Sequence, residues 1–162
     1  MSTKRSQQRL VLVSALTLVI AAAMGAAFYF GETSPVIAEG RVVIKPELVG
    51  QAQGMRTVYI IVRDPTSPMP MPYGAMATTI SSDATGSVME FKLTKDNLRI
   101  MSAASEHPKK ITIKARLDMD GLGGADTAGD IVGTVETIDW GSKNVEVTLN
   151  QLITDTPEPQ NP

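Results

Sequence analysis

The feature that most constrains this chain is an uncharged apolar run near its N-terminus. Leu10 to Phe30 is 21 residues long and contains no charged side chain. As a helix, at about 1.5 Å per residue, the run is about 31 Å long, which matches the hydrocarbon thickness of a bilayer. The sequence therefore predicts one transmembrane helix over residues 10–30.

The charges that flank this run indicate its orientation. Lys4, Arg5 and Arg9 precede it, and Glu32 and Glu39 follow it before the next basic residue, Arg41. The positive-inside rule places residues 1–9 in the cytoplasm and the bulk of the chain on the periplasmic side of a bacterial-type inner membrane. A cleaved signal peptide is the alternative, but the apolar stretch of such a peptide is only about 7–15 residues long.

The outer half of the predicted helix is rich in small residues and ends in aromatic residues. Ala21 and Gly25 form a small-xxx-small pair, the spacing that lets helices approach closely in lipid. Phe28 and Tyr29 fit an interfacial aromatic belt. We interpret these four residues as a candidate surface for packing against integral membrane subunits, while the alternative is that alanine simply serves as an apolar helix former.

Charge and cysteine content narrow the possible functions of the rest of the chain. Three of the 15 Lys and Arg residues lie before the apolar run, so 12 basic residues face 17 acidic ones in the remainder. Such an acidic segment is a poor nucleic-acid binder, because phosphate attraction needs clustered basic side chains. The absence of cysteine excludes disulfides, thiolate metal sites and attachment of haem through cysteine.

The segment after the run alternates between apolar and polar residues in short stretches. We predict an all-β domain of about seven strands, sandwich-like or barrel-like, over residues 38–154, with a linker at 31–37 and a Pro-rich tail at 155–162. The clearest alternation spans Ile111 to Asp118, with Thr112, Lys114, Arg116 and Asp118 expected to face outward. Thr57 to Arg63 is apolar on both faces and is expected to be a central strand. Thr94 to Ala104 is predicted to hold one short helix, with Thr94 as its N-cap.

Two segments suggest weak metal sites. Asp118 and Asp120 precede a glycine-rich stretch and faintly resemble a calcium loop, but no bidentate Glu stands at the required place. Met69 and Met71 are possible thioether ligands for Cu(I). Because prolines alternate with these methionines, we favour a polyproline-like docking segment for a partner protein, formed by Pro68, Met69, Pro70, Met71 and Pro72.

No catalytic motif accompanies these segments. His107 is the only histidine and lies in a polar turn, Glu106-His107-Pro108-Lys109-Lys110. G-x-S-x-G, S-x-x-K and phosphate-binding glycine motifs are absent from the sequence. The sequence therefore predicts a non-enzymatic protein without a cofactor.

Five stretches in one order resemble a known family. They are Gly40-Arg41-Val42-Val43-Ile44, Val58 to Arg63 with the following Pro68 to Pro72, Phe91-Lys92-Leu93-Thr94, Ile111 to Arg116, and Gly129-Asp130-Ile131-Val132-Gly133. Together they are similar to the C-terminal periplasmic β-domain of the cytochrome c biogenesis factors CcmI/CycH, over roughly Glu39 to Ile153. That family carries a second transmembrane helix and tetratricopeptide repeats that hold apocytochrome c, and both are missing here. The resemblance therefore implies a fold and a setting in c-type cytochrome biology, without the chaperone activity.

Three functions remain open at this point. The first is a non-catalytic, single-pass accessory subunit of an inner-membrane electron-transfer assembly, respiratory or photosynthetic, that contains or receives c-type cytochrome. The second is a cytochrome c maturation factor that presents apocytochrome or haem-lyase components. The third is a periplasmic metal-binding module. The expected partners are the lipid bilayer and integral membrane subunits, with no nucleic acid.

Overall fold

The computed structural model describes residues 34–68, 71–81, 83–101 and 106–155. The chain divides into two compact units, Met1–Thr33 and Ser34–Pro162, and all of the described residues belong to the second. The predicted cytoplasmic N-terminus, the predicted span and the tail from Thr156 onward lie outside the described residues. Within the described part, no helix has the length and apolarity needed to cross a membrane.

The described unit is built from strands, which confirms the predicted all-β class. One 3₁₀ helix, Pro46–Leu48, follows the first strand. The nine strands are β1 (Val36–Ile44), β2 (Thr57–Arg63), β3 (Gly74–Thr79), β4 (Ser87–Thr94), β5 (Arg99–Ile100), β6 (Lys110–Asp118), β7 (Ile131–Asp139), β8 (Ser142–Leu149) and β9 (Gln151–Leu152).

The strands form two sheets around one core. The first sheet has the order β4-β1-β8, in which β1 is antiparallel to β4 and parallel to β8. The second has the order β5-β3-β2-β6-β7-β9, and all of its pairs are antiparallel. Both sheets contribute to a single hydrophobic core, whose fully buried members include Val42, Leu93, Ile60 and Ile113.

The predicted central strand is confirmed. β2 pairs with β3 on one side and with β6 on the other. Val58, Ile60 and Val62 are 0% exposed, while Tyr59 and Ile61 on the opposite face are partly buried. Burial of this kind stabilises the fold by about 1.5–3 kcal/mol for each large apolar side chain.

Two strand boundaries differ from the prediction. β1 begins at Val36 and Ile37 is fully buried, so the strand includes the last two residues of the predicted linker. The last predicted strand, Asn144 to Ile153, is interrupted at Asn150, after which Gln151 and Leu152 leave the first sheet and pair with β7 in the second. The division of the last predicted strand into β8 and β9, together with β5, accounts for nine strands instead of about seven.

The predicted helix at 94–104 is wrong in its described part, which runs to Met101. Thr94 ends β4, and a single turn leads to β5. The side chain of Asn97 bonds to the backbone of Thr94 and Lys92, and Leu98 is buried. Arg99 and Ile100 then pair with β3, because tertiary pairing outweighs the weak local helical preference.

The alternation in β6 predicts its inward side correctly and its outward side wrongly. Ile111, Ile113, Ala115 and Leu117 are 0% exposed, as expected. Arg116 and Asp118 are also buried, at 1% and 2% exposure, instead of facing solvent. The loop from Met119 to Asp130 covers their face of the sheet, as the contacts of Arg116 show below.

Candidate functional site

Three aromatic rings meet at one end of the domain. Trp140 lies in the turn between β7 and β8, and its ring stacks on His107 with centroids 4.5 Å apart. The rings of Trp140 and Tyr73 are perpendicular to each other, with centroids 5.4 Å apart. Burial raises the pKa of the Tyr73 phenol. His107, expected to be a free surface histidine, is exposed but is one member of this cluster.

The first strand begins at this same end. The backbone N–H of Gly141, next to Trp140, donates to the carbonyl of Ile37 at 2.8 Å. The backbone N–H of Trp140 donates to the carbonyl of Lys109 at 2.9 Å, which holds the turn against the start of β6. We call this region the Val36 end, defined by Val36, Tyr73, His107 and Trp140.

The described residues of the predicted docking segment, Pro68, Met71 and Pro72, also lie at the Val36 end. The segment belongs to the β2–β3 connection, which leaves Arg63 and returns at Tyr73. The connection starts with a turn in which a carboxylate oxygen of Asp64 accepts hydrogen bonds from the backbone and the hydroxyl of Thr66, at 2.8 and 2.7 Å. These bonds hold the pKa of Asp64 below its ordinary value. A local turn therefore fixes where the segment starts.

The described part of the segment borders an open groove. Pro68 and Met71 are exposed, Met71 at 50%, and Pro72 is partly buried. The groove has a volume of about 560 Å³, and its opposite wall is the outer face of β6 and β7. That wall consists of Thr112, Lys114, Thr134 and Glu136. Met69 and Pro70 lie outside the described residues, as do the membrane candidates Ala21, Gly25, Phe28 and Tyr29.

A buried arginine organises the other half of this sheet face. Arg116 forms an ion pair with Asp118 at 2.9 Å and lies 3.6 Å from Asp126 and 3.8 Å from Asp130. Its guanidinium lies over the ring of Tyr59, with Cζ 4.6 Å from the centroid. It also donates to three loop carbonyls, those of Leu122, Gly124 and Ala125, at 3.2, 3.0 and 2.9 Å.

The loop over Arg116 is held by bonds between its own residues and by an ion pair to the sheet. One oxygen of Asp130 accepts from the backbone N–H of Met119 at 3.0 Å, and the other accepts from that of Thr127 at 2.8 Å. Lys114 forms an ion pair with Asp126 from the neighbouring position on β6. The loop therefore covers this face of the sheet, and it exposes Met119 at 61% and Leu122 at 68%.

The candidate calcium residues are engaged within this cover. Asp118 binds Arg116 and accepts from the backbone N–H of Gly121 at 2.5 Å. Asp120 accepts from the backbone N–H of Leu122 at 2.8 Å, which forms a local turn. Three carboxylates and three carbonyls surround the Arg116 guanidinium, so an internal cation occupies the centre of this oxygen set. Among the described residues, no group of three or more acidic, histidine or cysteine side chains is arranged to hold a metal ion.

Burial and the neighbouring charges of the cluster together determine the pKa of Asp118. Three carboxylates, those of Asp118, Asp126 and Asp130, face the two cations Lys114 and Arg116. Burial raises the pKa of Asp118 above its ordinary value of 3.8, and the nearby charge of Asp130 adds to the increase. The Arg116 charge and the Gly121 N–H oppose this increase without cancelling it.

A prediction about pH follows from this shift. A carboxyl whose pKa is raised by folding stabilises the protein fully below its unfolded pKa, and this contribution is lost as the pH rises through the folded pKa. The free energy of unfolding of the wild type minus that of Asp118→Asn should therefore fall as the pH rises above about 3.8. Urea unfolding of both proteins across the acidic range measures this difference. A difference that grows with pH would mean that the ion pair with Arg116 outweighs burial.

Sequence reasoning missed the two clusters for different reasons. Tyr73, His107 and Trp140 are far apart in sequence and share no motif, so only the folded topology brings them together. Arg116 carried a usable signal, because Asp118, Asp126 and Asp130 follow it within 14 residues. A buried Arg needs partners of this kind, because an unpaired buried charge is strongly unfavourable.

Comparisons of the chain with family models, with curated proteins and with solved structures returned no match.

Proposed function

We propose that this protein is a non-catalytic, single-pass accessory subunit of an inner-membrane electron-transfer assembly. In this proposal, residues 10–30 span the membrane and the β-domain lies on its periplasmic face. The domain binds integral subunits of the assembly, which contains or receives c-type cytochrome. The predicted span, the charges around it and the family resemblance support this setting.

The observation that carries the proposal is the composition of the Val36 end. Val36, where β1 begins, lies at the same end as the aromatic cluster and the described residues Pro68, Met71 and Pro72. Only the five residues Gly31 to Pro35 separate the predicted span from Val36. In this proposal, the described residues of the docking segment and the aromatic cluster form the surface that contacts integral subunits.

The chemistry of the segment suits a docking role. Prolines hold the backbone extended in advance, so binding costs little conformational entropy. Methionine is unbranched and polarisable and adapts to an apolar partner surface. The groove beside Met71 adds polar groups from β6 and β7 that can orient the partner. The segment therefore provides an apolar contact with a polar border, as protein interfaces commonly do.

A maturation factor is the second candidate, and one observation bears on it. Two of the stretches that carry the family resemblance meet in space, because Arg116 of the fourth lies 3.8 Å from Asp130 of the fifth. This contact supports a shared structural role for the two stretches. A maturation partner would follow from this contact through a fold shared with the family.

Purification of the tagged full-length protein in mild detergent separates the two candidates. We expect integral subunits bearing haem or pigment to co-purify in a fixed ratio with the protein. Identification of the recovered chains by mass spectrometry and an absorption spectrum of the sample provide the measurement. Recovery of the protein alone, or only with haem-ligation components, would overturn the proposed function.

A single substitution tests the docking segment. Met71→Asp places a charge in the proposed apolar contact and should lower the yield of co-purified subunits about tenfold, equivalent to about 1.4 kcal/mol of binding free energy. Met119→Asp is the matched control, because Met119 is similarly exposed, at 61% against 50%, but lies in the 119–130 loop. Equal yields from the two variants would show that the segment is not the docking site.

A further inference from the structure

Strand β4 forms one edge of the first sheet. It pairs with β1 along Ser87 to Thr94, and among the described residues no strand lies on its other side. An eight-residue edge presents a row of backbone N–H and C=O groups to any extended chain that approaches it. Proteins generally block such edges, so the groups beside β4 are informative.

The side chain of Asn97 occupies part of this edge. Its Nδ2 donates to the carbonyl of Lys92 at 2.7 Å, and its Oδ1 accepts from the backbone N–H of Thr94 at 2.9 Å. In a parallel pair of strands, the N–H and C=O groups of one residue bond in the same way to the two residues that flank the residue opposite it. The primary amide of Asn97 thus takes the place of a strand residue opposite Leu93.

The charges on the rest of the edge are complementary to those on the same edge of a second copy. Glu90 and Lys92 are exposed on the outer face of β4. The residues of β1 that lie opposite them are Arg41 and Glu39. These two form ion pairs with Glu146 and Lys143 of β8 instead. The charges of Glu90 and Lys92 therefore have no competing partner on β1.

One register of two antiparallel β4 strands satisfies both charges. The two-fold axis that relates the two strands must pass through a residue and not between two residues. An axis between residues would shift the register by one and place inward-facing side chains opposite outward-facing ones. An axis at Phe91 places Glu90 opposite Lys92 of the second copy, and Lys92 opposite its Glu90. Axes at Glu90 or Lys92 would bring like charges together. In the Phe91 register, pairing needs the backbone carbonyl of Lys92, which the Asn97 side chain occupies.

We propose that β4 is a self-complementary edge through which two copies of this chain can pair, and that the Asn97 side chain keeps it closed. The wild-type protein does not self-associate through β4 while the Asn97 amide is in place. Loss of the amide opens the edge and produces a two-fold dimer with a continuous sheet across the β4 strands. This inference does not depend on the proposed function, because it concerns only the described domain and a second copy of it.

The test compares wild type and Asn97→Ala as full-length chains in detergent. The protein mass is measured by light scattering after size exclusion. The mass of Asn97→Ala should be twice the mass of the wild type. A zero-length carbodiimide cross-linker joins carboxylates to amines in direct contact. In a mixture of ¹⁴N-labelled and ¹⁵N-labelled chains, Asn97→Ala should give a mixed-isotope cross-link between Glu90 and Lys92, and wild type should not.

Charge changes make the test specific for this edge. Glu90→Lys in the Asn97→Ala background places like charges opposite each other and should abolish the dimer, and the further change Lys92→Glu should restore it. Circular dichroism and thermal unfolding verify that every variant is folded. The proposal is overturned if folded Asn97→Ala keeps the wild-type mass without the mixed cross-link. It is equally overturned if the dimer forms but does not respond to Glu90→Lys. Should Asn97→Ala fail to fold, Asn97→Asp replaces it, since Asp cannot donate to the carbonyl of Lys92.

Discussion

Arg116→Ala is expected to lower the free energy of unfolding by about 3–5 kcal/mol, because it leaves buried carboxylates without their cation. Asp118 and Asp130 are 2% and 0% exposed, so both carboxylates lose the guanidinium in a position shielded from bulk solvent. The substitution also removes the three hydrogen bonds to the carbonyls of the 119–130 loop. Since small domains are stable by only about 5–15 kcal/mol, this loss is a large part of the total.

Urea unfolding, followed by the fluorescence of Trp140, measures this loss. Arg41→Ala is the matched control, since Arg41 also pairs with a carboxylate, that of Glu146 at 2.6 Å, but on the surface. Exposed pairs contribute about 0–1 kcal/mol, so the control should lie close to wild type. Arg116→Lys keeps the positive charge but loses the planar set of N–H donors of the guanidinium. Its free energy of unfolding should lie between those of Arg116→Ala and Arg41→Ala. Equal losses for Arg116→Ala and Arg41→Ala would contradict the buried network described for Arg116.

The period-2 pattern of β6 shows which structural features the local sequence can predict. It identifies the strand and its core face, because alternation reports which side chains leave water. It cannot report that a later segment returns over the opposite face. The 119–130 loop buries Arg116 through contacts with residues 122 to 130, and these contacts depend on the tertiary path of the chain. Alternation therefore distinguishes the two sides of a strand, whereas the tertiary path decides whether the polar side faces water.

The candidate surfaces also combine features that the local sequence predicts with features that only the tertiary path decides. Proline and methionine in the Pro68–Pro72 segment indicate an extended connection from sequence alone, since proline fixes its backbone dihedral. The position of that connection beside Val36 depends on pairings such as that of Ala38 with Ser142, which join residues 104 positions apart. The edge at β4 was missed for a related reason. Local propensity favoured a helix after Thr94, whereas Asn97 bonds back to the strand that precedes it.

A second large effect is expected where the two sheets approach each other. Gly133 lies on β7, and a Cβ atom added there would stand 1.9 Å from the carbonyl oxygen and 2.5 Å from the carbonyl carbon of Thr148 on β8. Both are backbone atoms, so no side-chain rotation relieves the clash. Gly133→Ala therefore requires β7 and β8 to separate, and we expect it to cost at least about 3 kcal/mol of the free energy of unfolding.

Gly50→Ala is the control for Gly133→Ala, because a Cβ atom at Gly50 meets nothing within 4 Å. Its φ is not in the left-handed region, so alanine is expected to leave stability unchanged or to raise it by up to about 1 kcal/mol through the unfolded chain. Thermal and urea unfolding of both variants measure the contrast between the two glycines. If Gly133→Ala unfolds at the same urea concentration as Gly50→Ala, the backbones of β7 and β8 are further apart than described. If only Gly133→Ala is destabilised, close backbone contact between the two sheets sets the residue at position 133, since no other amino acid lacks the Cβ atom that would collide with Thr148.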